Sequence, residues 1–494
     1  MLQGGRRGHR HRHGMLRGFV LLLVAVAACD AEVLDPVIPG AWPDAGIGGS
    51  GGTQSVCGDD KCNGAETPAI CPWDCGTCGN GNCDPDEDFT TCPEDGCTCD
   101  NGMCDSDENQ LTCPGDCGAV AIATGREHSC VVLADGTARC WGDNSHGQVG
   151  DGQVEHSPFC QLYHRPDCSQ RPVRVSGLTG VVSVSAGFVH SCATLADGSA
   201  WCWGGSGAGV LGDGVAHDAD CHARLENVPC STVPVQVSGL TDATAVAAGG
   251  YHTCALRSDG TAWCWGWNDN GQLGDSTTAP SPFPVQVLGV SDALALAAGG
   301  RHTCAVQVDG AVWCWGSNYG GQLGNGTTVD SALPVQVAGL SDAIAVSTGG
   351  LGLDSIYITC ALRTDGTVWC WGTNPWGLGN GGTSSSVPVQ VTGVSDAVGI
   401  SAGGTQACAV TSGGNVWCWG NGYEGQLGGG VYAESSVPVQ VLSPPGAVAV
   451  AAGGTHSCAM FVDGAVWCWG DGAAGQHGDG DTAARNVPDQ VAPW

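Results

Sequence analysis

The chain is poor in basic residues, poor in aromatics other than tryptophan, and has no apolar run long enough to remain across a bilayer. Lysine and arginine together number 16 in 494 residues, against 48 aspartates and glutamates, for a formal net charge of −32. Five of the 16 (Arg6, Arg7, Arg10, Arg12 and Arg17) precede residue 29, where no acid occurs, so 11 bases face all 48 acids in the rest of the chain. Nucleic-acid affinity comes mostly from lysine and arginine neutralising phosphates, and this deficit excludes DNA and RNA as partners. Phenylalanine and tyrosine supply six residues each while tryptophan supplies 18 and glycine 83. Few segments carry the 3.6-residue apolar period of an amphipathic helix, which argues against a helical enzyme. The chain also lacks G-x-S-x-G and H-E-x-x-H, and no convergent carboxylate pair can be assigned, so no residue is nominated as catalytic and no enzyme activity is expected.

The longest apolar run, FVLLLVAVAAC at 19–29, follows a basic segment and reads as an export signal, with Met15 an alternative start. Its end, VAAC, resembles the lipobox of bacterial lipoproteins. That resemblance implies cleavage after residue 28 and a lipid on the Cys29 thiol, hence a lipid-anchored cell-envelope protein, periplasmic or surface-exposed. The pair Arg6-Arg7 lacks the apolar residues that follow it in a twin-arginine signal. Residues 29–56, rich in Pro, Gly and Ser, form a flexible tether.

There are 31 cysteines; with Cys29 set aside, the remaining 30 sort into pairs or sets of four, which fits an oxidising compartment. From 57 to 118 three segments repeat C-x4-C-x8-C-x3-C, with x4 in the last gap of the second copy. Together they hold 15 carboxylates against one base, Lys61. Modules this small bury too little apolar surface to fold unaided, so two disulfides each are expected. Zinc is the competing use of four cysteines, but the spacing is not that of a paired C-x2-C knuckle. Calcium is the candidate cofactor, since hard cations take several oxygens and Asp84, Asp86, Glu87 and Asp88, or Asp105, Asp107 and Glu108, offer them. The competing reading is an acidic stalk that needs no cofactor.

From 119 to 494 a cysteine pair ten positions apart recurs seven times: Cys130 with Cys140, Cys192 with Cys202, Cys254 with Cys264, Cys304 with Cys314, Cys360 with Cys370, Cys408 with Cys418, and Cys458 with Cys468. Successive first cysteines are 62, 62, 50, 56, 48 and 50 residues apart, periods typical of propeller blades. Within CALRSDGTAWC a three-residue loop ending on Gly260 makes Arg257 oppose Thr261 and, counting outward, Cys254 oppose Cys264. Directly opposed cysteines, with Cα atoms ~4.5 Å apart in a non-hydrogen-bonded pair, can close a disulfide worth ~2.5–3 kcal/mol. Alternation puts Trp263 and Trp265 on one face and Cys264 on the other, so both tryptophans are expected to pack blade against blade. The histidines two before the first cysteine (His128, His190, His252, His302 and His456) are read as hydrogen-bonded structural groups, with Ile358 and Gln406 in their place in blades five and six.

GGYHTCALRSDGTAWCWGWNDNGQLGD and GGRHTCAVQVDGAVWCWGSNYGGQLGN resemble the repeats of the regulator of chromosome condensation family. The resemblance covers 119–494 and implies an all-β fold, a seven-bladed β-propeller, here preceded by small disulfide-rich modules. The eukaryotic namesake catalyses nucleotide exchange on a nuclear GTPase and binds chromatin, partners that an exported acidic chain does not meet. The first repeat starts at AVAIATG with no P-V-x-V strand before it, so the final NVPDQVAPW is expected to complete the first blade and close the ring.

Function should lie where the repeats differ. Blade one adds residues 155–170 and blade two adds 217–231, each expected to close on its own disulfide, Cys160 with Cys168 and Cys221 with Cys230; blade five inserts 351–359. The first two are expected to project from one rim as a protein-recognition patch anchored by Phe159, Tyr163, His164, Arg165, His222 and Arg224. The expected function is a monomeric, non-catalytic protein-binding scaffold, touching the membrane only through its lipid. The alternatives are a carbohydrate-binding propeller or, by resemblance to a secreted bacterial propeller of this repeat type that inhibits β-lactamases, a protein inhibitor.

Overall fold

The computed structural model describes residues 117–153, 156, 167–215, 217, 219–221, 229–350 and 356–494. Seven antiparallel sheets follow one another along the chain, each with its main strands paired in sequence order. Six have four strands, and the second gains a short fifth, Ala219–Asp220, at its outer edge. Blade three shows the pattern: Ala243–Ala248 innermost, then His252–Arg257, Ala262–Gly266 and Ser281–Gln286 outermost. The innermost strands read ATAVAA or ALALAA because only small side chains fit where seven blades converge. The outermost strands carry Pro284, Pro334, Pro388, Pro438 and Pro488, which lack an N–H and so blunt an edge that would otherwise template pairing.

The hairpin between second and third strands has the register its sequence implies. Cys254 opposes Cys264 and Leu256 opposes Ala262; the Arg257 N–H donates to the Thr261 carbonyl at 2.9 Å, and Gly260 has φ of 80°. The same register recurs in every blade, setting Cys130 opposite Cys140, Cys192 opposite Cys202, Cys304 opposite Cys314, Cys360 opposite Cys370, Cys408 opposite Cys418 and Cys458 opposite Cys468. All seven pairs are disulfides. Their Cα atoms lie 4.0–4.1 Å apart, closer than the ~4.5 Å expected of an unlinked non-hydrogen-bonded pair, because the short bridge draws the two strands together.

Blades meet through these disulfides. The Cys192–Cys202 pair of blade two packs in one apolar cluster with Ala255 and Trp265 of blade three, and Cys130–Cys140 of blade one packs with Ala193 and Trp203 of blade two. The two tryptophans of W-x-W therefore separate in role. Trp265 is fully buried between blades and its indole N–H donates to the Val210 carbonyl of the preceding blade at 2.8 Å. Trp263 is half-buried at the far end, donates to the Thr261 hydroxyl at 3.1 Å, and carries the Arg257 guanidinium 5.4 Å above its ring.

Ring closure differs from the sequence expectation. Arg485–Gln490 is the outermost strand of blade seven, and blade one supplies its own outermost strand, Cys168–Arg174. The segment RPVRV at 171–175 is one of six P-V-x-V runs, and PDQV at 488–491 takes the same place in blade seven, so no inner strand is left without an outer one and no strand exchange is required. Among the described residues, blades seven and one instead meet through hydrogen bonds. The Trp141 indole donates to the Gln476 carbonyl at 2.8 Å, the Ala119 N–H to the Gly464 carbonyl at 3.0 Å and the Trp494 indole to the Cys117 carbonyl at 2.6 Å.

Candidate functional site

In each blade the turn after the innermost strand and the long connection from third to fourth strand emerge at the same end. In blade three these are residues 249–251 and 267–280. The interruptions of the repeat are flanked by Gln153 and Asp167, by Cys221 and Pro229, and by Gly350 and Ile356, all in such segments. The described residues that flank all three departures from the repeat thus lie at one face of the disc, including those beside the blade-five insertion, which sequence alone leaves apart from the other two.

The axis opens on this face. Glycines that end the first strands form a ring, in which the N–H of Arg126, Phe188, Gly250, Gly350, Gly404 and Gly454 donates to a glycine carbonyl of the next blade at 2.8–3.3 Å. The ring surrounds a cavity of about 60 Å³. Glycine is required there: a Cβ on Gly249 would lie 2.6 Å from the Gly299 carbonyl oxygen and 2.7 Å from His252 Cε1. Gly249→Ala is therefore expected to cost about 2–3 kcal/mol in urea unfolding, as over-packing of a filled core does.

Beneath the glycines lies a second ring. His128, His190, His252, His302 and His456 are fully buried, and each Nε2 meets a hydroxyl of the next blade (Ser191, Thr253, Thr303, Thr359, Ser129) at 2.8–2.9 Å. Thr253 and Thr303 donate their own protons to backbone carbonyls at 2.9 Å, so they accept from Nε2–H, and the buried Nδ1 of each ring has no acceptor to hold a second proton. Burial depresses each of the five to a pKa of about 3. These are structural groups, not metal ligands, and among the described residues no cluster of three or more His, Cys, Asp or Glu is arranged to hold a metal.

On the surface above, blades two to four carry a contiguous cluster. Phe188 meets Tyr251 edge-on at 5.8 Å between centroids, Tyr251 meets Trp267 at 5.2 Å, and the Arg301 guanidinium lies 5.6 Å from the Trp267 centroid. All four are half-buried. Across the mouth, the described residues at the corresponding positions of blades five to seven are Gly350, Gly404 and Gly454 with Thr405 and Thr455. Sequence reading missed this cluster, although its signal was present. The position before each repeat histidine varies (Glu127, Val189, Tyr251, Arg301), and WCWGWND puts a tryptophan directly after W-x-W-G, where no other blade has one.

In blade one, His156 is held between Asp151 (Nε2 to Oδ2, 2.8 Å) and Asp167 (Nδ1 to Oδ2, 2.8 Å), and the Asn144 amide donates to Asp167 at 2.8 Å. Burial opposes the imidazolium, but the two carboxylate hydrogen bonds outweigh it and raise the pKa to about 9. In blade two His217 meets Asp213 at 2.7 Å in the corresponding place. Both irregular blades thus pin the root of their insertion with a histidine on the aspartate that follows the G-x-x-G turn. Asp143, Ser145 and His146 also cluster, with Ser145 Oγ 2.9 Å from Asp143 Oδ2 and 3.0 Å from His146 Nδ1. The carboxylate engages the serine and leaves the imidazole unoriented, unlike a nucleophile–base–orienter array.

The remaining sequence-nominated residues fall elsewhere. Cys221–Cys230 is a disulfide, and Cys168 is disulfide-bonded while Cys160 lies outside the described residues. Also outside them are the lipidation site Cys29, the calcium candidates Asp84, Asp86, Glu87, Asp88, Asp105, Asp107 and Glu108, and the patch Phe159, Tyr163, His164, Arg165, His222 and Arg224.

Seven contiguous four-stranded blades around a glycine-lined axis, with histidine and tryptophan hydrogen bonds crossing the junctions, define a β-propeller of repeated single-blade units. The chain belongs to the regulator of chromosome condensation (RCC1) repeat family, which it matches at residues 135–194, 197–256, 259–306, 309–351 and 413–460. A shorter description of the repeat matches within every blade, from 119–148 to 447–476. Human E3 ubiquitin-protein ligase HERC2 is 32% identical over 163 residues, 32% of this chain and 3% of that protein. The RCC1 domain-containing protein RUG3, mitochondrial, of Arabidopsis thaliana is 33% identical over 163 residues, covering 33% of each. The match spans a third or less of these relatives. Among solved structures, human WBSCR16 superposes with TM-score 0.59 at 22% identity over 72% of this chain and 93% of that one. Yeast RCC1 (Prp20), bound to Kap60, gives 0.58 at 21% over 72% and 83%. These likenesses establish the fold.

Proposed function

We propose that the chain is a non-catalytic recognition propeller that presents its loop-bearing face to a protein partner. The observation that carries this reading is the coincidence, on one face, of the Phe188–Tyr251–Trp267–Arg301 cluster with the described flanks of all three departures from the repeat. Half-buried aromatics and arginine are the residues that dominate protein interfaces, and they sit here beside the axis with long connections around them. Yeast RCC1 was solved with a protein, Kap60, on it, which supports protein binding as a use of this fold. A sugar platform is less well supported, because Arg301 and Tyr251 already contact the Trp267 ring that a pyranose would stack on.

The point where the chain joins the propeller fits the same reading. Cys117 lies against Trp494, and Ala119 against the Gly464 turn, on the face opposite the cluster. With Cys29 lipidated and residues 29–116 as tether and acidic modules, the recognition face would point away from the membrane. The test is affinity capture from the native envelope and medium with the full chain and with Tyr251→Ala/Trp267→Ala. The double variant is expected to lose a partner that Arg257→Gln, on the opposite face, retains. Identical partners for all three proteins would remove this site from consideration.

A further inference from the structure

We propose that Arg301, braced on Trp267 and flanked by Tyr251 and Phe188, is a subsite for a single carboxylate carried on an apolar peptide segment of the partner; this rests on the protein-binding reading above. Most of the arginines with which it could be compared already face an acid. Arg257 and Arg363 each hold an aspartate at 2.7 Å, Arg485 holds three at 2.9–3.2 Å, and Arg126 has Glu127 at 3.9 Å. Arg139, whose Nε also lacks a partner, stands in for the first tryptophan of W-x-W and so lies toward the opposite face. Arg301 has no carboxylate within 4.0 Å and no side-chain hydrogen bond among the described residues, and its Nε is buried without a partner. A guanidinium half out of water and unpaired, in a chain with three times as many acids as bases, is a charge held ready for an anion.

The surroundings define that anion. The Arg301 guanidinium lies 5.6 Å from the Trp267 centroid, and its planar fork of donors matches a planar oxyanion better than a point charge. Tyr251 and Phe188 continue the wall across two further blades, so the group that brings the carboxylate must offer apolar surface beside it. The net charge of −32 repels a polyacidic ligand at long range, which limits the partner to an isolated acid in an apolar setting. It equally disfavours a second copy of this chain, and the acidic modules join the propeller on the opposite face.

The experiment is to pan a phage-displayed peptide library on the oxidised full chain, synthesise the best binder, and measure it against variants. The expected sequence places one Asp or Glu beside aliphatic or aromatic residues. Its affinity should fall at least about tenfold with Arg301→Gln and with Trp267→Leu, as for an interface anchor, and stay unchanged with Arg257→Gln. Amidating the peptide's acid should cost the same factor as Arg301→Gln and add nothing in that variant. Displacement by succinate but not by equal inorganic phosphate identifies the carboxylate; displacement by phosphate alone overturns the assignment. A tenfold gain with Asp354→Asn, in the blade-five insertion and outside the described residues, would mean that Arg301 serves the chain's own acid and would also overturn it. Binders that need Tyr251 but carry no acid and ignore Arg301→Gln refute the subsite while leaving the recognition face standing. If no peptide binds the face at all, both readings fail.

Discussion

Between pH 7.5 and pH 5 the five buried ring histidines are expected to withdraw about 10 kcal/mol of stability from the folded propeller, about 2 kcal/mol each. His128, His190, His252, His302 and His456 remain neutral in the fold down to about pH 3. In the unfolded chain the same imidazoles take up protons below about 6.5. The unfolded state then binds more protons than the folded one, so the contribution of these five is flat above neutrality and falls as pH drops from 6.5 toward 3. Guanidinium unfolding of the oxidised protein at pH 7.5, 6 and 5 reads this directly. His252→Gln should flatten the slope by one fifth, because blade six already places Gln406 there, hydrogen-bonded to the His456 carbonyl at 2.8 Å and the Ser457 hydroxyl at 3.3 Å. His156 acts in the other direction: its pKa of about 9 gives stability that is complete below 6.5 and lost as pH rises through 9. A transition midpoint that does not move between pH 7.5 and 5 would contradict the neutral, inaccessible ring.

The histidine ring also shows how far sequence logic reaches. That the five histidines are structural follows from their recurrence, but their partners lie some 51 to 327 positions away and no local pattern names them. Once the structure pairs them, the exceptions become consistent. Blade five has Ile358 for histidine, blade six has Ala407 where the others have Ser or Thr, and blade five lacks the glutamine of G-Q-L-G. In the preceding junction Thr359 and Trp371 both donate to the carbonyl of that glutamine, Gln322. With the residue absent from blade five, Ala407 needs no acceptor and Trp419 Nε1 is left without one. Ile358, Ala407 and Trp419 accordingly share an apolar cluster at that junction. Three departures that look independent along the chain are one exchange of a polar contact for an apolar one.

The strand pairing within a blade was legible because it is local: Gly260 sets the loop, the loop sets the register, and the register brings Cys254 to Cys264, as it brings Cys304 to Cys314, Cys360 to Cys370, Cys408 to Cys418 and Cys458 to Cys468. Closure was not, because counting P-V-x-V strands fails if RPVRV is hidden behind the blade-one insertion that precedes it. The candidate site was half legible. Insertions announce themselves by length, whereas Tyr251 and Trp267 come from two separate segments of blade three and Arg301 from blade four, and the cluster is complete only when neighbouring blades pack.

The second large effect concerns the seven disulfides. Reduced in denaturant, alkylated and returned to pH 7.5, the chain is expected to remain unfolded. Each ten-residue loop contributes ~2.5–3 kcal/mol through the chain-entropy argument, and even with partial additivity the seven exceed the ~5–15 kcal/mol that holds an ordinary domain together. The loss reaches beyond entropy, because every one of these cysteines is 1% exposed or less and lies between blades, where an alkylated sulfur has no room. For the same reason the native protein should resist dithiothreitol, since thiolate attack must wait for a blade to open. Thiol counting with iodoacetamide should find none of these fourteen free before unfolding and all of them free after unfolding and reduction. Because each disulfide joins adjacent strands of one hairpin, none of them holds blade seven to blade one. A single Cys254→Ala/Cys264→Ala pair should therefore lower stability by about 3–5 kcal/mol, the cross-link plus a cavity beside Ala305 and Trp315, yet leave a closed, cooperative ring. A reduced chain that regained a cooperative transition at pH 7.5 would show that the cysteines serve mainly as small buried hydrophobes and that blade packing alone suffices.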